Sequence, residues 1–261
     1  MLTTLSNSWY VAEHRIRNMY QWRVPILVAS IANPLLYLTA VGFGIGKLLE
    51  SNGTGTIDGV KFLVFLAPAL LVTAGIQGVM DETVFPTMGG FKWDRSFFAM
   101  NATPITAPQI VNGLLISALM RALFAGSIYW VILIALGASS LSSWPVILVS
   151  MLAGVAFGAF MQGATTHFLN DNGFIAVLNR FIVMPLFLFS GTYYPLSTMP
   201  VGLQWIGWLS PMWHGIELGR WVSYGHSISG AMLVVHFGYY VILFTVGLLW
   251  TYNRYTWRLE K

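Results

Sequence analysis

The sequence predicts an all-α membrane protein with six transmembrane helices. Two observations carry that expectation. Of the 261 residues, 56% are hydrophobic and 8% are charged, against roughly 25% charged in a soluble domain. The apolar residues also gather into runs long enough to cross a bilayer, which takes roughly 20 residues per helix. A buried core cannot absorb so much apolar surface, so lipid must cover the rest. The net charge of +4 does not point to nucleic acid, because the basic residues follow the ends of apolar segments and form no stripe. There is no Cys, which leaves no thiolate zinc site, iron–sulfur cluster or disulfide framework.

The chain begins with a stretch that is not read as a cleavable signal peptide. Residues 1–23 contain Arg15, Arg17 and Arg23, with no apolar core ahead of a small-residue cleavage site. From Leu5 to Arg23, Trp9, Ala12, Ile16, Met19 and Tyr20 recur at helical spacing, with Glu13, His14, Arg17, Asn18 and Gln21 mostly opposite. Glu13 and Arg17 form a favourable i,i+4 pair. The pattern predicts an amphipathic helix lying in the cytoplasmic interface. It is either a surface anchor alone or also part of a docking surface for a cytoplasmic partner.

Six spans follow. The first is Val24 to Gly46, opened by Pro25, and the second is Phe62 to Met80; both are uncharged. The third, about Ala107 to Leu136, contains Arg121. The uncharged run 122–166 is too long for one crossing, and the turn-forming stretch 137–145 divides it, with Pro145 placed to start the fourth span, Trp144 to Thr166. The fifth is about Asn172 to Thr192 and contains Arg180; the sixth is about Ser229 to Tyr252. Between them, Tyr193 to Ile228 is rich in Trp, Pro and Gly yet barely charged. It is too broken to span and too apolar for water, which favours re-entrant or interfacial helices on one face.

Six spans place both termini on one side. That side collects Arg15, Arg17, Arg23, Lys92, Arg95, Arg254, Arg258 and Lys261, against Lys47, Lys61 and Arg220 on the other. The bias makes both termini cytoplasmic. It also puts the loop Asp81 to Thr106 inside and the 193–228 region outside. The organisation expected is a cytoplasmic helix at 1–23, one transmembrane domain at 24–252 and a tail at 253–261.

Three sets of residues are candidates for function. In the inner loop, Gly89 and Gly90 precede a short helix, Phe91 to Met100, where Lys92, Asp94 and Arg95 alternate with Phe91, Trp93, Phe97 and Phe98. Aromatic residues beside charges suit a protein contact surface; they would equally rest on the membrane. Arg121 and Arg180 sit inside spans, where an unpaired charge is unfavourable. They either line a pathway or contact anionic head groups, or they pair with Asp171, Glu82 or carbonyls in the cytoplasmic third of the membrane. The five histidines, His14, His167, His214, His226 and His236, share no i,i+3 or i,i+4 spacing and give no metal site. No GxSxG elbow is present, and the Gly42 to Leu48 stretch fails as a Walker A loop, so no catalytic residue is assigned. Asn52-Gly53-Thr54 is a glycosylation tripeptide of the kind that arises by chance.

One stretch carries a longer ordered pattern. It runs Pro185-Leu-Phe-Leu-Phe-Ser-Gly191-Thr-Tyr193-Tyr194-Pro195-Leu-Ser-Thr-Met-Pro200, then Leu203-Gln-Trp205, then Leu209-Ser-Pro211-Met-Trp-His214-Gly-Ile-Glu217-Leu-Gly-Arg220. It closely resembles the C-terminal signature of ABC-2 type permeases, the membrane subunits of ABC exporters. Asn33-Pro34, the Gly42 to Lys47 stretch, Gly59 to Pro68 and Ala102-Thr-Pro104 are similar to the lipooligosaccharide (NodJ-type) branch of that family. The resemblance covers about Trp9 to Tyr252; the Phe91 to Met100 segment departs from it in being more aromatic.

The resemblance implies a six-span subunit paired with a second copy or a sister permease in the inner (plasma) membrane, with separate nucleotide-binding ATPase subunits beneath. ATP and Mg would be bound by those partners and not by this chain. Phe91, Lys92, Trp93, Asp94, Arg95, Phe97 and Phe98 would form the coupling helix, with Trp9, Glu13 and Arg17 on the interface helix beside it. Tyr193, Tyr194, Pro195, Pro211, His214, Glu217 and Arg220 would belong to an outer hairpin closing the exit. Arg121 and Arg180 would be pathway candidates. The cargo implied is amphipathic: a glycolipid, a lipid-linked saccharide or a hydrophobic drug. The rival reading is an ion-gradient-driven secondary transporter, which would usually place carboxylates at the centre of its spans.

Overall fold

The computed structural model describes residues 2–53, 55–169 and 173–261, without the side chains of 2–6, 174 and 175. It is all-helical apart from one small hairpin. Helix α1 (Leu2–Gln21) is followed by α2 (Arg23–Ser51), which contains a π-helical segment at Leu38–Phe43. Strands β1 (Thr56–Ile57) and β2 (Val60–Lys61) pair antiparallel, Thr56 opposite Lys61 and Ile57 opposite Val60. Next come α3 (Phe62–Trp93), α4 (Ser96–Asn101), α5 (Ala107–Ala135) and α6 (Pro145–His167). Helix α7 (174–188) is continuous through a π-helical segment at Asn179–Val183. Helices α8 (Val201–Leu209), α9 (Pro211–Tyr224) and α10 (Gly230–Leu259) complete the chain.

Among the described residues, five helices are long and apolar enough to cross a membrane: α2, α3, α5, α6 and α10. The fifth predicted span, Asn172 to Thr192, is represented by the shorter α7. Its 15 residues extend about 22 Å at 1.5 Å each, short of a bilayer core of roughly 30 Å. Gly191 stops it, turning the chain with φ +74, a conformation open to glycine without steric penalty.

Local chemistry explains the helix limits. Thr106 and Gln109 form a capping box at the start of α5, where the Thr106 amide donates to Gln109 Oε1 at 2.9 Å. Pro145 occupies the first position of α6, as the sequence predicts. Two helices outrun their predicted spans. Helix α3 continues past Met80 to Trp93, and α10 continues past Tyr252 to Leu259, so most of the expected 253–261 tail is helical. Both extensions end on the same aromatic cluster: Phe91 packs edge-on to Tyr255 at 4.8 Å and to Phe97 at 5.1 Å. Burial of these rings sustains a helix where hydropathy alone would stop it.

Helices α3 and α6 form the centre. Small residues bring them together: Ser150 Oγ donates to Leu71 O across the seam at 3.3 Å, and a Cβ on Gly75 would fall 1.8 Å from that hydroxyl. Around this pair pack α5, α9 and α10. Helix α2 is largely exposed, with Val24, Leu27, Val28, Ile31, Leu35 and Leu36 turned outward. That leaves a broad apolar face, which in a membrane protein suits lipid or another helix.

Candidate functional site

Three regions of the molecule gather the polar residues, and they lie in sequence from one end of the bundle to the other. At the first end, α1 lies against α5. Its packed residues are Ser8, Val11 and Ala12, and Gly113 of α5 gives the close approach, since a Cβ there would sit 2.5 Å from Val11. Trp9, placed by sequence periodicity on the apolar face, is 46% exposed. The Arg17–Glu13 pair forms at 2.6 Å as the spacing predicts.

Arg15 of the same helix reaches inward. Its Nε and Nη2 donate to Glu82 Oε2 of α3 at 3.1 and 2.9 Å, and Arg121 of α5 donates to Glu82 Oε1. One buried carboxylate thus joins three helices. Of the partners anticipated for Arg121, Glu82 is the one it takes; Asp171 lies outside the described residues.

The predicted helix Phe91 to Met100 is not a single helix. The chain leaves α3 at Trp93, and Arg95 adopts the left-handed conformation at φ 57, uncommon for a residue with a Cβ. Asp94 Oδ1 then accepts the Ser96 amide at 2.9 Å, and α4 begins. The elbow sorts its residues into two faces. Phe91 and Phe97 are buried against Tyr255 and Phe98 is partly so, whereas Lys92, Trp93, Asp94 and Arg95 face outward, Trp93 with 61% of its surface free. Between this elbow and α1 runs a groove of about 400 Å³, with His14, Asn18, Trp22, Trp93 and Asp94 along its walls.

The middle region is a cavity of about 490 Å³ between α2, α3, α5 and α7. Its wall combines Asn33, Tyr37, Gln77, Tyr129, Asn179 and Arg180 with apolar side chains, among them Phe187 and Met212. Arg180 is exposed and has no hydrogen bond or ion pair among the described residues.

At the other end, α9 inserts between α3 and α6 and carries the last part of the ordered motif, Pro211 to Arg220. Arg220 is 1% exposed: its Nη1 donates to Glu217 Oε1 at 3.1 Å, its Nη2 to Gly191 O at 2.7 Å, and its guanidinium lies 3.7 Å over the Phe65 ring. This ties the turn after α7 to α9. Tyr193 sits edge-on to Phe187, and Tyr194 donates to Leu188 O at 3.3 Å. Pro195 opens a short 3-10 turn and Pro211 opens α9, where Ser210 caps the Met212 amide.

His214 meets His236 of α10, Nδ1 to Nδ1 at 2.7 Å, although the two are 22 positions apart. His214 Nε2 is 3.0 Å from Trp208 O. A carbonyl only accepts, so that nitrogen carries the hydrogen, and Nδ1 of a neutral His214 then accepts from His236. The spacing of the sequence could not disclose this pair. No group of three metal-ligating side chains forms among the described residues.

The last contact closes the same end. His226, in the loop before α10, places Nε2 3.3 Å from Glu217 Oε2 and Nδ1 3.4 Å from Asp58 Oδ2 in the turn between β1 and β2. The hydrogen bond to Glu217 leads the causes that hold this imidazole above its ordinary 6.5, while partial burial and Arg220 oppose it. A raised folded value means the contribution is full below 6.5 and is lost as pH rises through the folded value. The chain is therefore expected to melt at a higher temperature at about pH 5.5 than at about pH 8.5 through this group. His226→Gln should remove that part of the difference; an unchanged pH slope in the variant would contradict the clasp.

The fold and its polar residues define a multi-pass α-helical membrane protein with a cavity between α2, α3, α5 and α7. Comparison with known proteins gives the class. Residues 10–224 match the ABC-2 type transporter family, and the chain belongs to it. It is 27% identical over 240 residues to Nodulation protein J of Rhizobium leguminosarum bv. viciae, covering 89% of this chain and 88% of that protein. It is 29% identical over 223 residues to Nodulation protein J of Sinorhizobium fredii, covering 82% and 81%. It is 24% identical over 241 residues to the Inner membrane transport permease YadH of Escherichia coli K12, covering 91% and 89%. The chain is thus a membrane transport permease of the ABC-2 class, and the gradient-driven alternative is not favoured.

Proposed function

We propose that this chain is the permease half of an ATP-driven exporter, moving an amphipathic cargo outward while separate subunits bind ATP and Mg and hydrolyse the nucleotide. The observation that carries the reading is the groove between α1 and the elbow at 89–101, with Trp93 standing free at its rim. An exposed aromatic flanked by charges, beside a groove of mixed polar and apolar lining, is how a protein contact is built.

In this reading both termini are cytoplasmic, α1 is the interface helix, and Lys92, Trp93, Asp94 and Arg95 meet the ATPase. Helix α7 with the α8–α9 hairpin makes up the fifth of six crossings, and the hairpin closes the outer side. A second copy or a sister permease covers the exposed face of α2, and cargo leaves where α2, α3 and α7 border that seam. Closure of the ATPases pushes on the elbow, and because Phe91 and Phe97 lock it to Tyr255, the push reaches α3 and α10 together.

The test is to purify the chain from its native cell in mild detergent with its ATPase and to change Trp93 or Arg95 to Ala. ATP hydrolysis should persist while transport falls by about tenfold or more, as hot-spot truncations of roughly 2 kcal/mol do. Transport unaffected by both changes would remove the elbow from the mechanism.

A further inference from the structure

We infer that the cavity between α2, α3, α5 and α7 receives the anionic head of an amphiphile, with the Arg180 guanidinium as its counter-charge. This deepens the proposed transport reading and depends on that cavity lying in the cargo path.

The argument begins with charge. Three other arginines at or near membrane depth have a carboxylate partner: Arg15 and Arg121 share Glu82, and Arg220 holds Glu217. Arg180 has none, and no Asp or Glu lines the cavity it faces, among the described residues. An unpaired guanidinium at membrane depth is unfavourable and persists where it faces a polar cavity or a ligand. It sits six residues into α7, about 9 Å from the start of that helix, and lines the cavity wall beside Asn179 and Val183.

The neighbours are suited to a polar head. Asn33 and Asn179 offer amides, and Tyr37 and Tyr129 offer hydroxyls, all neutral, while the Gln77 amide nitrogen is engaged by Asp81 Oδ1 at 3.0 Å. They can bind ester, hydroxyl or amide groups next to the anion without competing for the positive charge. A volume of about 490 Å³ holds a phosphorylated or carboxylated head and leaves no room for long acyl chains beside it.

The cavity is also the end of a series. It shares Asn33, Ala74, Gln77 and Tyr129 with a narrower cleft of about 180 Å³ that runs along α2 to Arg121 and is also lined by Asp81. That cleft shares Ile26, Ala29 and Arg121 with a third space of about 310 Å³ beside Arg15 and Glu82. All three border α2, whose opposite side is apolar and exposed. A head can therefore travel inside the series while its tails stay in lipid, which is why the ligand is an amphiphile and not a free anion. Of the stations along this route, Arg180 is the one with no carboxylate partner among the described residues.

The test uses the full chain in nanodiscs of neutral phosphatidylcholine, with dodecyl phosphate, dodecyl maltoside and inorganic phosphate as probes. Dodecyl phosphate should bind saturably, and Arg180→Gln should weaken it by about tenfold, the loss of one charged hydrogen bond; Arg180→Lys should fall between. Dodecyl maltoside should change by less than about twofold between the same proteins, because its neutral head needs only the amides. Inorganic phosphate should not displace dodecyl phosphate.

Equal affinity of wild type and Arg180→Gln for dodecyl phosphate would overturn the inference. So would displacement by inorganic phosphate alone, which would make the site one for a free anion. Arg180→Gln should melt no lower than wild type, since no partner among the described residues is lost; a clear drop would assign Arg180 a structural role instead. Binding needs no ATPase. A charge-dependent site in a chain that pairs with no ATPase would sink the exporter reading alone, and an ATPase-coupled chain indifferent to Arg180→Gln would sink this inference alone.

Discussion

Glu82→Ala is expected to lower the melting temperature of the purified chain more than any other truncation around α1. Glu82 is 3% exposed and accepts from Arg15 and Arg121 at once. Removing it strands two guanidiniums against each other where α1, α3 and α5 meet. Breaking a buried pair costs about 3–5 kcal/mol when the partner charge stays behind. Here the two arginine side chains are 27% and 23% exposed, so water screens part of the repulsion and about 3 kcal/mol is the better figure. The loss should also free α1, seen as faster proteolysis near Trp22. Glu82→Gln should recover part of the loss, since its amide oxygen still accepts one arginine. A melting temperature within a degree or so of wild type for Glu82→Ala, under the rough scale of 2–8 °C per kcal/mol, would show that the three helices are held by packing alone.

Gly247→Ala is the second large effect. A Cβ at Gly247 would lie 2.6 Å from Phe160 N and 2.8 Å from Phe160 Cα. Those are backbone atoms of α6 and cannot rotate away, so α10 must move. One turn on, Thr251 Oγ1 donates to Ala159 O at 2.8 Å, a bond between helices that the shift would stretch. Overpacking of this kind costs about 1–3 kcal/mol, and the hydrogen bond adds about 1 kcal/mol. The control lies on the same helix: nothing stands within 4 Å of a Cβ at Gly238. Gly238→Ala should therefore be neutral or raise stability by up to about 1 kcal/mol through helix propensity. Thermal melts of both variants in one detergent decide the matter; equal shifts would deny the close contact of α6 and α10.

Much of this molecule was legible because hydropathy is local. Long uncharged runs located α2, α3, α5, α6 and α10, and Pro145 marked where one run divides. Helix ends were less legible. The extensions of α3 to Trp93 and of α10 to Leu259 rest on rings that meet only in three dimensions, Phe91 and Phe97 with Tyr255. The break at Arg95 has no signal in Pro or Gly next to it; the turn rests on the Ser96 amide donating to Asp94 Oδ1. Candidate residues divide in the same way. Glu217 and Arg220 lie one helical turn apart, so their pairing can be read from spacing, and the ordered motif drew attention to both. His214 with His236, and Glu82 with Arg15, join residues on separate helices, where no periodicity reports the contact. Arg180 was suspected for its charge in an apolar run; its cavity is visible only once α2, α3 and α7 are placed.

The central claim is that the groove between α1 and the elbow docks an ATPase, and one cross-linking measurement tests it directly. The chain has no Cys, so Trp93→Cys creates a single reactive thiol without further change, and Val201→Cys, exposed on α8 at the other end, serves as its counterpart. Membranes from the native cell would be treated with a short thiol-reactive cross-linker and the adducts identified by mass spectrometry. The account predicts that Trp93→Cys is joined to a subunit carrying a Walker A motif and that Val201→Cys is not. Trp93→Cys left free, labelled by reagents that reach only the outside, would contradict both the docking surface and the orientation of the chain.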